Sequence, residues 1–407
     1  MGMHLGKFTR GLLALAGLAA LAPAADIDAQ QRLAIDVGKI LTVDFEDRVV
    51  NNGTILVEDG QITYVGPRRS APDGFEHIDA TDLWASPGLV DLHSHSVGTG
   101  DINDMVMPVN PELSVRPSYI ASNPRLRLAC AAGVTTIFGI PGSGTSIGGF
   151  GGLWKAKTEA RYAETVLRYP GGMKAAFNYN PQRAFGDLGR TWAGLSWTVE
   201  KVNDMARAVA RGDREEPLLA DLGRVLQGDL PVLVHCASAE GVAGVVRLWK
   251  LREDADVIVS HGSWDGHLAA KFCAENGVPV NHGPRIYNFN SARREGRIQG
   301  GAESFLNAGV PLFSLNTDAP VIPQEEFFLQ GTLSARLGAP DTAMLRALTA
   351  NPAQSFQIGS RVGSLVQGLD ADIVLSTGDP MDPRSCVDRV YIDGELQYER
   401  ERDGQWY

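Results

Sequence analysis

Short apolar runs recur through the middle of the chain, each followed by a longer stretch whose apolar positions have helical spacing. GLVDLHSH, PVLVHCA, DVIVSHG and VPLFSLNTD are typical of buried strands, and SAEGVAGVVRLWKLRE and GHLAAKFCAENG of the helices between strands. Alternating strands and helices predict parallel βαβ units, whose right-handed crossovers close readily into a barrel. We therefore expect a TIM-like (β/α)8 barrel over residues 89–351.

Both ends of the mature chain show a different pattern, rich in β-branched residues and short turns. Residues 33–67 contain Asn-Gly and Asp-Gly pairs between apolar runs, and residues 371–399 repeat the arrangement with a further Asp-Gly pair. Such pairs are preferred turns of β-hairpins. The expected fold class is thus α/β, with the barrel joined to a small β-sandwich domain made of residues 25–88 and 352–407.

The N-terminal segment differs from everything that follows. Lys7 and Arg10 precede an uninterrupted apolar run at residues 11–21, and small residues at 22–24 suit cleavage. The run is too short to span a bilayer, which takes about 20 residues. The pattern favours a signal peptide over residues 1–24 rather than a buried helix. We expect an exported protein, periplasmic or secreted, without a stable membrane anchor.

Composition and charge limit the classes of molecule that the protein is expected to bind. The chain has 407 residues, and 37 basic against 48 acidic residues give a net charge of −11. An acidic surface repels phosphate backbones and anionic lipids, so we expect a small-molecule substrate and no nucleic acid. Four dispersed cysteines form no CxxC pair, which argues against a disulfide scaffold and a thiolate zinc site. Self-association into a homo-oligomer is left open.

Histidines mark the ends of the predicted strands. Five of the eight lie at or just beyond such an end: His93, His95, His235, His261 and His282. His93 and His95 form an HxH pair, and residues two apart in a strand point to the same side. His261 follows His235 by 26 residues, about one βα unit, and Asp318 ends a later strand. Because strand ends meet at one face of a barrel, these imidazoles and the carboxylate predict a site for Zn²⁺ or a similar divalent ion.

Several longer motifs resemble the amidohydrolase superfamily, in particular its imidazolonepropionase-like branch. They are SPGLVDLHSH at 86–95, AGVTTI at 132–137, NTDAPVIP at 316–323 and TANPAQSFQIGSRVGSLVQGLDADIVL at 349–375. The resemblance extends over essentially the whole mature chain and implies the same split β domain. It also implies that the metal ligands are His93, His95, His235, His261 and Asp318.

Many members of this superfamily hold two metal ions bridged by a carbamylated lysine, or by a glutamate, on the fourth barrel strand. Lys174 lies where such a lysine is expected, and carbamylation would turn its cationic amine into an anionic oxygen ligand. Related sequences carry a glutamate near the position of Tyr179, where this chain departs from them. Carbamylation of Lys174 and the number of metal ions, one or two, are therefore left open. Lys155 and Lys157, on the preceding predicted strand, are weaker alternatives.

The predicted site suits hydrolysis by a metal-activated hydroxide. Asp318 would be the catalytic base that accepts a proton from the attacking water and returns it to the departing nitrogen. His261 would bind a second metal ion or, in a site with one ion, donate a hydrogen bond.

Three residues after the predicted seventh strand are candidates for substrate binding: His282, Arg285 and Tyr287. Arg285 suits a substrate carboxylate, which a guanidinium binds through two parallel hydrogen bonds. The glycine-rich segment at residues 139–152 matches no phosphate-binding fingerprint and is expected to be a mobile loop over the barrel mouth.

The favoured function is hydrolysis of an amide-type C–N bond in a cyclic amide, a dipeptide or an N-acyl amino acid, with zinc as the expected metal. Deamination is the first alternative. It would require an added acid, for which Glu240, five residues after His235, is the candidate. A non-catalytic barrel that binds a ligand is the second alternative, which loss of metal-site residues would favour.

Overall fold

The computed structural model describes residues 31–98, 104, 107–182 and 191–405. The predicted signal peptide, residues 1–24, lies outside the described residues. Within them, every helix is too short or too polar to cross a bilayer.

Two sheets contain the strands of the described part of the chain. The strands are β1 (Arg32–Leu41), β2 (Val49–Glu58), β3 (Gln61–Pro67), β4 (Glu76–Pro87), β5 (Leu89–Ser94), β6 (Val134–Gly139), β7 (Ile147–Lys155), β8 (Val166–Ala176), β9 (Val232–Cys236), β10 (Val257–His261), β11 (Val280–His282), β12 (Ser314–Leu315), β13 (Ile373–Ser376), β14 (Val387–Ile392) and β15 (Glu395–Glu399). One sheet has seven strands in the order β15-β14-β13-β4-β1-β2-β3, and the other has eight in the order β12-β11-β10-β9-β8-β7-β6-β5.

Helices fill the connections of the eight-stranded sheet and follow it. They are α1 (Pro124–Ala131), α2 (Tyr162–Thr165), α3 (Trp192–Ala210), α4 (Ala220–Leu226), α5 (Ala239–Val245), α6 (Ala270–Glu275), α7 (Phe289–Glu295), α8 (Gly301–Asn307), α9 (Phe327–Arg336), α10 (Asp341–Leu348), α11 (Ala350–Ser355) and α12 (Arg400–Asp403). Short 3-10 turns lie at Arg116–Ser118, Pro217–Leu219, Gly266–Ala269 and Gln324–Glu326, and a π-helical turn at Val246–Leu251 continues α5. Side chains of Asn123, Thr191 and Ser238 accept backbone hydrogen bonds where α1, α3 and α5 begin, which stabilises those helix starts.

The seven-stranded sheet combines both ends of the chain. β4 pairs in parallel with β1 and antiparallel with β13, so the N-terminal and C-terminal strands share one ladder. A β-sandwich was expected here, whereas the strands form a single hydrogen-bonded sheet. A bridge between Gln61 of β3 and Asp370, just before β13, brings the two parts of this sheet together. The sheet therefore curls around its own apolar core.

The eight-stranded sheet confirms the expected α/β barrel, with one strand reversed. β7 pairs antiparallel with both β6 and β8, while the remaining neighbours are parallel. Only residues 140–146 connect β6 to β7, and a parallel crossover needs about a dozen residues or more. The expectation of an all-parallel barrel is wrong at this strand because so short a connection can only make a hairpin. The glycine-rich residues 139–152 belong to this hairpin and are buried throughout, so they are not the mobile loop that was expected.

Alternation along the strands separates a helix-facing layer from the barrel interior. In β9, Val232 and Val234 pack with the helices, while Leu233 belongs to a separate apolar cluster and shares its face with His235. Phe356, directly after α11, joins the cluster of Leu233, and its ring lies 4.6 Å from that of Phe138. This cluster closes the barrel interior beneath the histidines.

The seam of the barrel lies between β12 and β5, the two edges of the eight-stranded sheet. β12 has only two residues. A bridge between Ser94 and Ala319 crosses the seam, and the backbone N–H of His95 donates to the carbonyl of Ala319 at 2.7 Å. The seam is thus closed next to the HxH pair.

Candidate metal centre

The HxH pair lies at a bulge in β5. The pairing of β5 with β6 slips by one residue between Asp91 and Ser94, and a bulge re-aims the side chains that it contains. The Nε2 atoms of His93 and His95 each lie 3.2 Å from Oδ1 of Asp318. Both imidazoles therefore meet the carboxylate that the sequence analysis grouped with them.

His235 and His261 bring two further imidazoles to the same place. The ring of His261 lies 4.5 Å from that of His235 and 4.5 Å from that of His93. Its backbone is left-handed, with φ of 85°, which departs from the strand geometry that would place it on the outward face with Val259. Ligand atoms of His93, His261 and Asp318 lie within 4.8 Å of one another, which is close enough for one ion to contact all three.

Hydrogen bonds at Nδ1 orient three of the four rings. The partners are the hydroxyl of Ser260 for His93 at 2.7 Å, the carbonyl of Ile140 for His95 at 3.1 Å and the carbonyl of Gly283 for His261 at 2.8 Å. A partner on one ring nitrogen fixes the ring and leaves the other nitrogen for a ligand, as is usual for histidines that bind metals. The Nε2 atoms of these rings are thus available as metal ligands.

Several of these nitrogen atoms are buried without a partner. Among the described residues, Nε2 of His261 and both ring nitrogens of His235 form no hydrogen bond, and Nε2 of His93 has only its contact of 3.2 Å with Oδ1 of Asp318. Burial lowers the pKa of His93 and His235 well below the ordinary 6.5, and that of His261 to about 4. Burial therefore favours the neutral form of these rings, which is the form that binds a metal. Unsatisfied buried nitrogens beside a carboxylate are the donor set that a divalent cation such as Zn²⁺ fits.

Asp318 supplies the negative charge of the cluster. Burial acts to raise the pKa of Asp318, but His93 and His261 outweigh it and hold that pKa well below the usual range of a carboxyl group. Its backbone is left-handed, with φ of 50°, a conformation that is strained for residues other than glycine. An ionised carboxylate in this position suits both metal binding and proton transfer.

Lys174 lies on β8 and is fully buried beside the histidines. Its Nζ donates a hydrogen bond to the hydroxyl of Ser143 at 2.7 Å, and its charge acts on the pKa of His93, His235 and His261. Burial lowers the pKa of Lys174 to about 7, against the opposing effects of Asp318 and Cys236. A large part of this amine is therefore neutral near pH 7, and the neutral amine is the form that reacts with CO₂.

Buried polar residues that support the site were missed by the sequence analysis. Asp91, Thr317 and Gln324 are joined by hydrogen bonds behind the HxH pair, and Ser143 binds Lys174. A signal for Asp91 was present, because a carboxylate within a buried apolar run requires partners. Its partners lie more than 200 residues away (226 and 233 positions along the chain), and no local pattern indicates them.

His282 is not brought to the site. Val280 and His282 share one face of β11, and Val280 packs with the helical layer. The ring of His282 lies 5.4 Å from that of Phe305 and 6.0 Å from that of Phe313. The expectation that His282 binds substrate is therefore corrected: alternation along β11 places it in the core between the sheet and α8.

Arg285 and Tyr287 lie after the C-terminal end of β11, where the site residues of β9 and β10 also lie. Arg285 is exposed, and its guanidinium carbon lies 4.6 Å from the ring centroid of Phe289. Tyr287 is half-buried, with its ring 6.3 Å from the same phenylalanine. The two side chains remain candidates for substrate binding.

The weaker lysine candidates lie at the opposite end of the barrel. Because β7 is antiparallel, its C-terminal end points towards the seven-stranded sheet. There Nζ of Lys155 lies 2.9 Å from Asp370, 2.8 Å from Asp372 and 3.1 Å from Asp393. Lys157 lies 3.0 Å from Asp393. These two lysines connect the barrel to the seven-stranded sheet, and their role as alternative metal ligands is excluded by position.

Comparison with curated proteins gives both long and short matches, while no protein-family model matches the chain. The chain is similar to the amidohydrolase tasK of Hapsidospora irregularis, with 25% identity over 399 residues, covering 85% of this chain and 40% of that protein. The chain thus spans about two fifths of the length of this relative. It is also similar to the imidazolonepropionase of Micrococcus luteus, with 38% identity over 69 residues, covering 17% of each chain.

Comparison with solved structures extends the similarity to the whole fold. An amidohydrolase from Thermotoga maritima MSB8 aligns with a TM-score of 0.82 and 28% identity, over 90% of this chain and 100% of that chain. The aligned share includes both the barrel and the seven-stranded sheet, since neither alone accounts for so much of the chain.

Proposed function

Because the chain belongs to the amidohydrolase superfamily, in its imidazolonepropionase-like branch, we propose that it is a metal-dependent hydrolase that cleaves an amide-type C–N bond. The observation that carries the proposal is the convergence of four imidazoles on one ionised carboxylate. His93, His95, His235, His261 and Asp318 meet in this way, although they come from or directly after three strands of the barrel, β5, β9 and β10, and from the segment after β12.

These five residues would hold one or two divalent ions, with zinc favoured by a donor set of imidazoles and a carboxylate without thiolates. When bound, such an ion lowers the pKa of water towards 7 and polarises a carbonyl group. Lys174, carbamylated through its neutral amine, would supply the additional negative charge that a second ion requires. Ser143 would orient that side chain from the β6–β7 hairpin.

Asp318 carries the proton transfers in this proposal. Its low pKa keeps it ionised, so it accepts a proton from the attacking water and then donates it to the departing nitrogen. The Nδ1 of His261 donates to the carbonyl of Gly283, which leaves the lone pair of Nε2 facing Asp318, where it would bind the metal. This tautomer suits a metal ligand and not a hydrogen-bond donor to the substrate oxygen.

Deamination is the competing reaction at the same kind of centre. The acid that it would require was assigned to Glu240, but this residue is exposed at the start of α5. We therefore favour hydrolysis, with cyclic amides, dipeptides and N-acyl amino acids as the substrate classes.

The test combines metal analysis with a hydrolysis screen on these three classes. We expect divalent metal in the purified protein, loss of hydrolysis after chelation and recovery on addition of Zn²⁺. His235→Ala should lower metal affinity at least about tenfold, whereas His267→Ala, on the Gly266–Ala269 turn outside the cluster, should resemble the wild type. Hydrolysis that survives complete removal of metal would contradict the proposal, as would equal metal binding by the His235 variant.

We also propose that the protein is exported and loses residues 1–24. The basic residues followed by an apolar run and small residues support this proposal. N-terminal sequencing of protein recovered from the periplasm or the medium should then begin at Ala25. Recovery of the intact N-terminus from the cytoplasm would contradict it.

A further inference from the structure

Asp91 binds both sides of the barrel seam through buried hydrogen bonds. On the side of β5 its Oδ1 accepts from the backbone N–H of His93 at 3.2 Å. On the other side it accepts from the hydroxyl of Thr317 at 2.6 Å, from the backbone N–H of Thr317 at 3.4 Å and from the side-chain amide of Gln324 at 3.0 Å. One buried carboxylate thus joins the strand of the HxH pair to the residue that precedes Asp318.

Thr317 continues the connection past Asp318. Its hydroxyl, while donating to Asp91, accepts from the backbone N–H of Ala319 at 3.1 Å. The hydroxyl therefore contacts the chain on both sides of Asp318, whose left-handed backbone needs surrounding contacts to hold it. Asp91 and Thr317 are both fully buried. Hydrogen bonds to a buried carboxylate such as that of Asp91 are strong and well defined.

We propose that Asp91 and Thr317 form a clasp that positions Asp318 against His93 and His95 for catalysis. β12 is too short to provide a ladder across the seam, so these side-chain bonds, together with the Ser94–Ala319 bridge, set the distance between the HxH pair and the base. Asp91 and Thr317 do not touch the substrate. They act through Asp318 and His93. This inference rests on the proposed function, because it assigns a positioning role in that reaction.

If the Thr317–Asp91 bond had only a structural role, its removal would lower stability without affecting catalysis. The chain offers a matched control, a similar buried Thr–Asp bond outside the barrel. Thr54, in the seven-stranded sheet, is fully buried and donates its hydroxyl to Asp36 at 2.6 Å, as Thr317 does to Asp91 at the seam. Thr317→Val and Thr54→Val each replace a hydroxyl by a methyl group. Thr317→Ser keeps the hydroxyl and serves as the conservative rescue.

The experiment measures kcat, KM, zinc affinity by chelator competition, and thermal unfolding of the metal-free protein for each variant. For Thr317→Val we expect kcat to fall at least about tenfold with KM changed less than about threefold, and zinc affinity to fall about tenfold. Thr317→Ser should recover most of both, and Thr54→Val should lower the unfolding midpoint while leaving kcat and zinc affinity unchanged. If Thr317→Val does not fold, the isosteric Asp91→Asn takes its place.

Two results would overturn the clasp while leaving the proposed function intact. One is a Thr317→Val protein with the kcat and zinc affinity of the wild type. The other is a Thr317→Ser protein as impaired as Thr317→Val. A wild-type protein that neither binds divalent metal nor hydrolyses any of the screened amides would instead reject the proposed function, and the clasp with it.

Discussion

Two buried lysines lie at opposite ends of the same barrel, and their partners differ. Lys155, at the end that faces the seven-stranded sheet, has Asp370, Asp372 and Asp393 within 3.1 Å. Lys174, at the metal-site end, donates to a neutral hydroxyl, that of Ser143. Both side chains are removed from water, so the comparison isolates the effect of the neighbouring charges.

The pKa values of the two amines move in opposite directions. Burial acts to lower the pKa of Lys155, but Asp372, Asp393 and Asp370 outweigh it, and the pKa rises above its ordinary value. Burial lowers the pKa of Lys174 to about 7 because Asp318 and Cys236 compensate only in part. Paired with carboxylates, a buried lysine is a fixed structural charge; without that pairing, it becomes a reactive amine at neutral pH.

Lys155→Met should have the largest effect on stability. It would leave the buried carboxylates of Asp370 and Asp372 and the half-buried carboxylate of Asp393 without their shared cation, which costs about 3–5 kcal/mol. Urea unfolding of the metal-free protein would measure the loss. Lys201→Met, which removes an exposed contact of 3.8 Å with Asp204, is the control and should change stability by less than about 1 kcal/mol. A similar small loss for Lys155→Met would mean that its carboxylates do not depend on the lysine.

Lys174→Met should separate function from stability. We expect at least about a tenfold loss of metal affinity and hydrolysis, with metal-free stability unchanged or slightly higher, because an incompletely paired buried amine is removed. Mass spectrometry of the intact wild type should detect carbamylation that is absent from the variant. Full metal content and activity in the variant would remove Lys174 from the site.

Lys157→Met tests a stability loss that should lie between those of Lys155→Met and the exposed control. Lys157 lies 3.0 Å from Asp393 and 3.0 Å from the more exposed Glu395, and Asp393 retains Lys155 as a partner. We expect a loss of about 1.5 kcal/mol, below that of Lys155→Met. Urea unfolding of the two single variants and the double variant measures their coupling through Asp393. Strict additivity would contradict a shared network.

The pH dependence of stability gives the most specific effect. The folded pKa of Lys174, about 7, lies below its unfolded value of about 10.4, so above pH 7 the unfolded chain binds a proton that the folded protein does not. The stability of the metal-free wild type should therefore rise relative to Lys174→Met by up to about 1.4 kcal/mol per pH unit. Urea unfolding from about pH 7 to 8.5 measures this difference. Unfolded cysteines, with a pKa of about 8.5, ionise equally in both proteins, so their effect cancels. Lys155, with a raised folded pKa, should add no pH dependence in this range. Stability curves for the wild type and Lys174→Met that run parallel with pH would contradict the lowered pKa of Lys174.

Much of the site followed from strand periodicity and barrel geometry. Residues at or just after the C-terminal ends of barrel strands must meet at one face, whatever their separation in the chain. This general rule grouped His93, His235 and Asp318 from the sequence, and the structure places them together. It needs only the strand ends and no knowledge of the packing.

The direction of a strand and the side of the sheet to which a residue points were harder to predict. The reversal of β7 was encoded in the length of its connection, residues 140–146, but the glycine-rich pattern was interpreted as a loop above the barrel. That single error displaced Lys155 from one end of the barrel to the other. The facing of His282 depended on alternation over a strand of three residues, too short to establish which side is apolar. The clasp of Asp91 and Thr317 joins positions 226 residues apart and required the closed barrel to be visible.

The apolar floor around Phe356 and Leu233, which lies beneath His235 on the same face of the barrel wall, has a consequence for turnover. Reactants and products must use one common entrance, so a departing product has to vacate the passage before the next molecule enters. Accumulated product would then compete with incoming reactant, and the reaction should slow as it proceeds even while reactant is plentiful.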